Sequence, residues 1–526
     1  MRGCRCAWGA PLEPSSGAAG RHGSSQASGD GELRHALASQ DRPCYRGEMR
    51  TISGGVALSL LFALGACASE ESDDPDESMV VSPAMARDRP AGTLTWQPCG
   101  NIECATLVVP IDYDNPSLGT VSLALNRARA DASLGYHGTV LINPGGPGAS
   151  GINFLVSSAP ALRGLFPGFD FVGFDPRGIG ASQGLECDFF ADALPALVEE
   201  GSAGYLREVT EASRRCEAQE GPLFDHMGTQ QVVADIDRMR EALGEEEINF
   251  FGISYGTRLG EHYALTYPEH TRALVLDSPM SPVPDLRLLT ESQFAALLRL
   301  QQSFFDDCAA GVLDCPPEPE AVFESIRQAE EREPLVQVAF ANWKFLLGSS
   351  PGRELAALSL RVQAGLEAPP EAMAAMQATA AVVPTFNPAA NLSTNCADDT
   401  SPVLSAAAAD DLILSYAERS PAFVLDSLAA VTCSGWEVPR QPLPSIEFEP
   451  RVPPLVIGGI RDILTPYDLA EATVGMLKGS ALLTSEHYGH SAISLGSLCV
   501  FGHLRRYLET LELPPVGARC EAPPPQ

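Results

Sequence analysis

At 526 residues the chain is long for a single domain, though an α/β core with an inserted cap reaches that size. Its composition, 45% hydrophobic and 19% charged, is that of a folded globular protein. A net charge of −32, from 35 Lys and Arg against 67 Asp and Glu, repels phosphate backbones and excludes nucleic acid as a main partner.

Residues 1–48 are rich in Gly, Ser, Ala and Arg, have no apolar period, and are expected to be disordered or untranslated, with translation starting at Met49. Residues 49–67 read as an export signal. Met49-Arg50 give the basic start, Val56 to Ala66 (VALSLLFALGA) is an apolar run too short to cross a bilayer, and small residues precede Cys67. Leu64-Gly65-Ala66-Cys67 resembles a bacterial lipoprotein signal in which the cysteine is lipidated, with plain secretion as the alternative. Membrane contact is expected only through that anchor. Residues 68–93, acidic and containing Pro, read as a solvated tether.

Ten of the 14 cysteines follow the signal, an even number suited to an oxidising compartment. Pairing neighbours gives five short loops: Cys99–Cys104, Cys187–Cys216, Cys308–Cys315, Cys396–Cys433 and Cys499–Cys520. No Cys or His cluster has zinc-ligand spacing, so neither a metal nor another cofactor is expected.

From Leu94 short β-rich runs alternate with helical stretches, the pattern of a largely parallel sheet with helices on both faces. The strand runs are TVSLALNRAR, GTVLINP, FDFVGFDP, INFFGIS, RALVLDSP, PPLVIGG and SALLTSE. TQQVVADIDRMREALG predicts a helix with Thr229 as N-cap, one apolar face and Gly244 as its stop. Between about Met280 and Arg440 strand signals vanish and Ala, Glu, Leu and Gln dominate; they resume at PPLVIGG. The expected organisation is a core over 94–280, a helical cap insertion over 281–440 and the rest of the core over 441–526.

Gly252-Ile253-Ser254-Tyr255-Gly256 sits at the joint between the strand INFFG and a helical stripe of Leu259, Tyr263 and Tyr267. A serine there stands on a tight turn with unfavourable backbone angles, and side chains at Gly252 or Gly256 would clash across it. The hydroxyl needs a base to become a nucleophile. His490, in HYGHSAI after the strand SALLTSE, is preferred to His487 three residues earlier, and His503 looks structural. Asp462 directly follows the strand PPLVIGG and is the acid to hold the histidine; Asp468 falls within the next helix. The order Ser254, Asp462, His490 is that expected of an α/β-hydrolase, with all three after different strands of one sheet. LINPGGPGASG, a glycine-rich loop after an early strand, is expected to give the Gly146 amide, with that of Tyr255, for an oxyanion.

Together NPGGPGASG, FDPRGIGAS, GISYGTRLGEHYALTYPE, LVLDSP and the block from PPLVIGGIRDILTP to HYGHS resemble secreted actinobacterial tripeptidyl aminopeptidases, related to prolyl aminopeptidases among the α/β-hydrolase serine exopeptidases. The resemblance runs from Trp96 to Cys520 and is thin across the insertion, where only NCADD and CSGW match. It implies release of short N-terminal peptides or single residues, through an acylated Ser254, from peptide substrates with a free N-terminus. In related enzymes the cap supplies carboxylates for that ammonium, and here Asp398 and Asp399 are the candidates. An esterase or small-molecule amidase on the same residues is the alternative within enzymes. A catalytically silent surface-binding lipoprotein is the alternative from another class.

Overall fold

The computed structural model describes residues 89–131, 133–328, 343–366, 386–420 and 423–522. The apolar runs become strands of one sheet: β1 Gln97–Cys99, β2 Ile102–Pro110, β3 Thr120–Ala128, β4 Gly138–Asn143, β5 Phe169–Phe174, β6 Ile248–Ile253, β7 Thr271–Asp277, β8 Leu455–Arg461, β9 Ala481–Tyr488 and β10 Arg519–Cys520. Their spatial order is β1-β2-β3-β5-β4-β6-β7-β8-β9-β10. Pairing is antiparallel from β1 through β3 to β5 and parallel from β5 to β10.

The helices follow in chain order. Those of the first part are α1 Gly151–Leu165, α2 Ala193–Glu220, α3 Thr229–Leu243 and α4 Tyr255–Thr266. Between β7 and β8 come α5 Leu286–Ala309, α6 Pro319–Gln328, α7 Trp343–Leu347, α8 Ser350–Gln363, α9 Pro388–Asp398, α10 Ala406–Arg419, α11 Val424–Ser427 and α12 Ala429–Thr432. The last are α13 Tyr467–Met476 and α14 Leu498–Thr510.

Strands β4, β5 and β6 are buried at every position, as a sheet covered on both faces requires. Alternate side chains feed two cores. Leu141 and Phe250 pack with Val232, Ile236, Leu259 and Tyr263 of α3 and α4. Val140, Ile142, Phe251 and Ile253 pack with Leu155 of α1 and with Val500, Leu504 and Leu508 of α14. The parallel array leaves the carboxyl ends of β4, β6, β7, β8 and β9 on a common edge, and the candidate catalytic residues follow three of them.

β7 and β8 pair directly, so the eight helices described between them are an excursion from one sheet. Most of that excursion has its own core, in which Phe294, Phe304, Phe323, Trp343, Leu347 and Phe423 pack together. α2 belongs with it in space: Leu197, Tyr205 and Val209 pack on Ala409, Ile413 and Leu428. The cap is therefore built from two separate lengths of chain, of which the sequence pattern revealed one.

Two local expectations need correction. α3 starts at Thr229 with Gly228 as its N-cap, because the Thr229 hydroxyl is drawn inward to Asp398; Gly244 closes the helix as expected, at φ +79°. The far end of the expected tether is docked. Arg89 makes two bonds to the buried Asp170 carboxylate, at 2.8 and 2.7 Å, and Thr93 N–H donates to Ala242 C=O. The signal region, Cys67 and residues 68–88 lie outside the described residues.

The five neighbouring cysteine pairs are all joined. Cys499, His503 and Cys520 come together with ligand-like spacing, but the two sulfurs are already bonded to each other. Among the described residues no helix is long and apolar enough to cross a membrane.

Candidate active site

Ser254 stands between β6 and α4 at φ +56°, ψ −124°, the left-handed side that a serine rarely adopts. The neighbours explain how so tight a turn is made. A Cβ on Gly252 would lie 2.1 Å from the Gly256 carbonyl oxygen across the turn. A Cβ on Gly256 would instead meet the Asn143 carbonyl of β4 at 2.4 Å, so this glycine admits the neighbouring strand rather than the turn itself. The Ser254 N–H donates to Asp277 C=O at 3.0 Å, and the Ser254 carbonyl accepts both the N–H and the hydroxyl of Thr257. The Ser254 Oγ makes no hydrogen bond among the described residues; such contacts are commonly long before substrate binds.

His490 and Asp462 are brought together. The imidazole Nδ1 donates to Asp462 Oδ2 at 2.8 Å, which fixes the tautomer and leaves Nε2 as the lone-pair nitrogen. Asp462 is buried and fully used: Oδ1 accepts the N–H groups of Leu464 and Thr465 at 2.9 and 3.0 Å, and Oδ2 also accepts the Thr465 hydroxyl at 3.0 Å. That hydroxyl lies 3.2 Å from His490 Nδ1, so Thr465 touches both partners. Burial pushes the His490 pKa down, but the charge and hydrogen bond of Asp462, with the charge of Asp277, outweigh it, and the imidazole stands above its ordinary value.

The competitors sit elsewhere. His487 bonds Ser485 and lies within β9; Asp468 is exposed on α13 and accepts from Ser292; His503 is part of α14.

Asp277, which the sequence reading had not singled out, holds the histidine loop. At the carboxyl end of β7 it is wholly buried, and it accepts the Ser491 hydroxyl at 2.8 Å and the N–H groups of Ala492 and Ile493 at 3.0 and 3.1 Å. Burial raises its pKa, against those three bonds and the charge of His490. The same residue's backbone receives Ser254, so one residue ties the elbow to the loop that starts at His490. The sequence did carry a signal: an acid ending an apolar parallel strand, beside the strands that precede Ser254 and Asp462.

The glycine-rich loop lies against the elbow. A Cβ on Gly145, at φ +93°, would come within 2.5 Å of the Ile253 carbonyl oxygen and 2.8 Å of both Ser254 Cβ and Tyr255 N. Gly145 N–H is committed to Asn143 Oδ1 at 2.9 Å. The N–H groups of Gly146 and Tyr255, the expected oxyanion donors, have no acceptor among the described residues. The cap holds the loop's far side: Asn391 Nδ2 donates to Pro147 C=O at 2.8 Å, and Asn387 N–H to Gly148 C=O at 2.9 Å.

Asp398 and Asp399 are not open to a substrate ammonium, and that expectation is corrected. Asp398 is buried and accepts the N–H and hydroxyl of Thr229 at 3.0 and 2.6 Å, with Arg258 3.7 Å away. Asp399 Oδ1 accepts the N–H groups of Leu286 and Ser401, while Oδ2 takes the Ser401 hydroxyl and lies 3.3 Å from Arg440. Both carboxylates fasten the cap to its surroundings. Through Thr229, Asp398 also reaches the Tyr255 hydroxyl, 2.8 Å from the Thr229 oxygen.

The sheet order, the strained serine elbow and the Asp–His pair after the last strands define a hydrolase of the α/β type. The chain belongs to the alpha/beta hydrolase fold family, whose model matches residues 138–497. It is 29% identical to the serine protease Hip1 of Mycobacterium tuberculosis, over 83% of this chain and 92% of the relative. It is 28% identical to a tripeptidyl aminopeptidase of Streptomyces coelicolor, over 81% and 85%. It is also 30% identical to a carboxylesterase B of M. tuberculosis, over 79% and 86%. The chain is a serine hydrolase or peptidase of this fold.

Proposed function

We propose that the chain is an exported serine aminopeptidase that releases short peptides or single residues from a free N-terminus. The observation that carries this reading is the 2.8 Å Asp462–His490 contact, with the His490 loop joined to the Ser254 elbow through Asp277. In the first half-reaction Ser254 Oγ bonds to the carbonyl carbon and its proton passes to His490 Nε2. The oxygen that gains charge is received by the N–H groups of Gly146 and Tyr255. His490 then gives its proton to the departing amine as the carbon–nitrogen bond breaks, leaving an acyl group on Ser254. Water, deprotonated by His490, adds to the acyl carbon, and Ser254 departs with the proton. Asp462 orients the ring and stabilises its charged form throughout.

Two of the relatives above carry peptidase names, which supports the peptidase reading. The five disulfides are compatible with export, and the signal at 49–67 with lipidation at Cys67 is part of the proposal. The similarity to a carboxylesterase favours ester hydrolysis as a second reading.

The test is a panel of aminomethylcoumarin amides, Ala-Ala-Pro, Pro and Ala, each with a free and an acetylated amine, beside a butyrate ester. Ser254→Ala is expected to lower turnover by roughly 10⁴–10⁶-fold. Cleavage of free-amine amides but not acetylated ones fits the aminopeptidase; turnover of the ester alone refutes it.

A further inference from the structure

Tyr255, the first residue of α4, is joined to the cap by a short chain of hydrogen bonds. Its hydroxyl lies 2.8 Å from Thr229 Oγ1, and that oxygen lies 2.6 Å from Asp398 Oδ2. The one hydroxyl proton of Thr229 is spent on the carboxylate, so the Tyr255 hydroxyl donates to Thr229. The chain therefore runs in one direction, from the elbow through the start of α3 to the end of α9. All three residues are buried, so bulk water does not replace a missing link.

The far end of the chain is a fixed post. Asp398 is the last residue of α9, and Cys396, two residues earlier, is bonded to Cys433. Ala397 C=O accepts the Gln441 N–H at 2.6 Å, and the Thr394 hydroxyl donates to Met227 C=O at 3.2 Å, two residues before Thr229. Thr229 N–H donates to Asp398 Oδ1 at 3.0 Å, so the carboxylate grips Thr229 at two points. Arg258, three residues after Tyr255, stands 3.7 Å from Asp398 Oδ2. The start of α4 thus meets one carboxylate twice, directly at Arg258 and through Thr229 at Tyr255.

The near end carries the N–H expected to receive the oxyanion. That N–H belongs to the Ser254–Tyr255 peptide, whose carbonyl accepts the Thr257 N–H at 2.9 Å and the Thr257 hydroxyl at 2.6 Å. In a trans peptide the N–H points opposite to the C=O, so those two bonds turn the Tyr255 N–H out of the helix start. They set its direction. The side chain, anchored at its far end on Thr229, sets the place of the Cα beside it.

We propose that Thr229 and Asp398 are positioning residues of the reaction: through the Tyr255 hydroxyl they hold the Tyr255 N–H where the substrate's carbonyl oxygen gains charge. This rests on Ser254 as nucleophile and on Tyr255 N–H as oxyanion donor, and it holds for amides and esters alike. A contact that tightens only as charge develops acts on the chemical step, so loosening the chain lowers kcat and leaves KM in place. A donor displaced by about 1 Å loses on the order of 100-fold in rate.

Thr229→Val keeps the shape and removes the hydroxyl, while Tyr255→Phe removes the other end of the same bond and leaves Thr229 on Asp398. Each should lower kcat about tenfold or more on the best panel substrate, amide or ester, with KM within about twofold. Thr229→Ser, which keeps the hydroxyl, should restore kcat. Asp398→Asn, with one acceptor for the two Thr229 donors, should lower kcat in the same manner. Thr229→Val with Tyr255→Phe should lose no more than the worse of the two alone, because both cut one chain. The inhibition constant of an alkylboronic acid, whose adduct on serine is tetrahedral, should rise in step with the loss of kcat/KM. Tyr255→Phe carries the test where Thr229→Val fails to fold. Unchanged kcat in folded Tyr255→Phe, a rise in KM at constant kcat, or losses that multiply in the double variant overturns the chain as a positioning device. Unchanged kcat in Asp398→Asn removes the cap from it. Absence of fluorophosphonate labelling in the folded unmutated protein refutes Ser254 as nucleophile and is thereby told apart from these.

Discussion

Replacing Asp277 with Asn separates holding the histidine loop from pairing with the histidine. The wholly buried Asp277 carboxylate accepts a hydroxyl and two backbone N–H groups from Ser491, Ala492 and Ile493. Hydrogen bonds to a charged group contribute about 1.5–3 kcal/mol each, and a buried N–H left unpaired costs about 1–3 kcal/mol. An asparagine offers a single acceptor oxygen, so its amide NH₂ must face one of the donors. The loss is partly offset, because an amide need not be desolvated as a charge, and burial is what raises the pKa of Asp277. A net destabilisation of about 2–4 kcal/mol follows. The charge of Asp277 also helps hold the His490 pKa up, so its removal moves the acidic limb of kcat/KM to lower pH. Urea unfolding and a pH–rate profile on the best panel substrate are the assays. A stability loss under about 1 kcal/mol together with an unmoved acidic limb would refute the role given to Asp277.

Asp462→Asn should lower kcat by roughly 10⁴-fold, and what activity remains should have its acidic limb shifted down, since Asp462 raises the His490 pKa by both charge and hydrogen bond; a pH–rate profile checks both. Gly145→Ala places a methyl 2.5–2.8 Å from Ile253, Ser254 and Tyr255, so the glycine-rich loop must lift from the elbow; a loss of about 10²–10³-fold in kcat/KM is expected, measured on the same amides. Glu261, buried on α4, has its pKa raised from 4.5 to about 8 by burial, against the charge of Arg258. Because the folded value is the higher one, the native state holds this proton over a range in which the unfolded chain releases it. Stability from this group is complete below about pH 4.5 and falls as pH rises towards 8. Glu261→Gln should flatten the melting temperature between pH 5 and 8, followed by calorimetry.

The positions of Ser254, Asp462 and His490 at the ends of strands were legible in sequence because each is announced by its own strand. An apolar run ends, and a polar residue follows at the edge where parallel strands deliver their carboxyl ends. Disulfide pairing was legible for a similar reason, since every partner is near in sequence. What was not legible depends on contacts between distant segments. α2 looks like any amphipathic helix, and only its packing on α10 puts it in the cap. Asp398 and Asp399 are conspicuous as an acidic pair, yet Thr229, Arg258, Leu286 and Arg440, which occupy their oxygens, come from other parts of the chain. Composition favours exposure for such a pair; the fold uses it to clamp.

The same long-range contacts tie the insertion between β7 and β8 to the candidate site at the sheet edge. Ile463, next to Asp462, is buried in the cap's own core, and Leu464 and Tyr488 pack against that core. Tyr488 also carries the Arg353 guanidinium of the cap helix α8 4.8 Å from its ring centre and that of Arg461 at 4.5 Å. On the opposite side Asn387 and Asn391 of the cap hold Gly148 and Pro147. The acid loop and the end of the strand before the histidine thus rest on the cap's own core, while α9, which holds the glycine-rich loop, packs by Ala389, Ala390 and Leu392 in the same core as Tyr255 and Leu259 beside Ser254. A displacement of the cap's own core would move the candidate acid relative to Ser254. Reaction geometry is sensitive at the level of an ångström. The insertion is therefore a structural member of the candidate site, through the packing of Ile463, Leu464 and Tyr488 on its core.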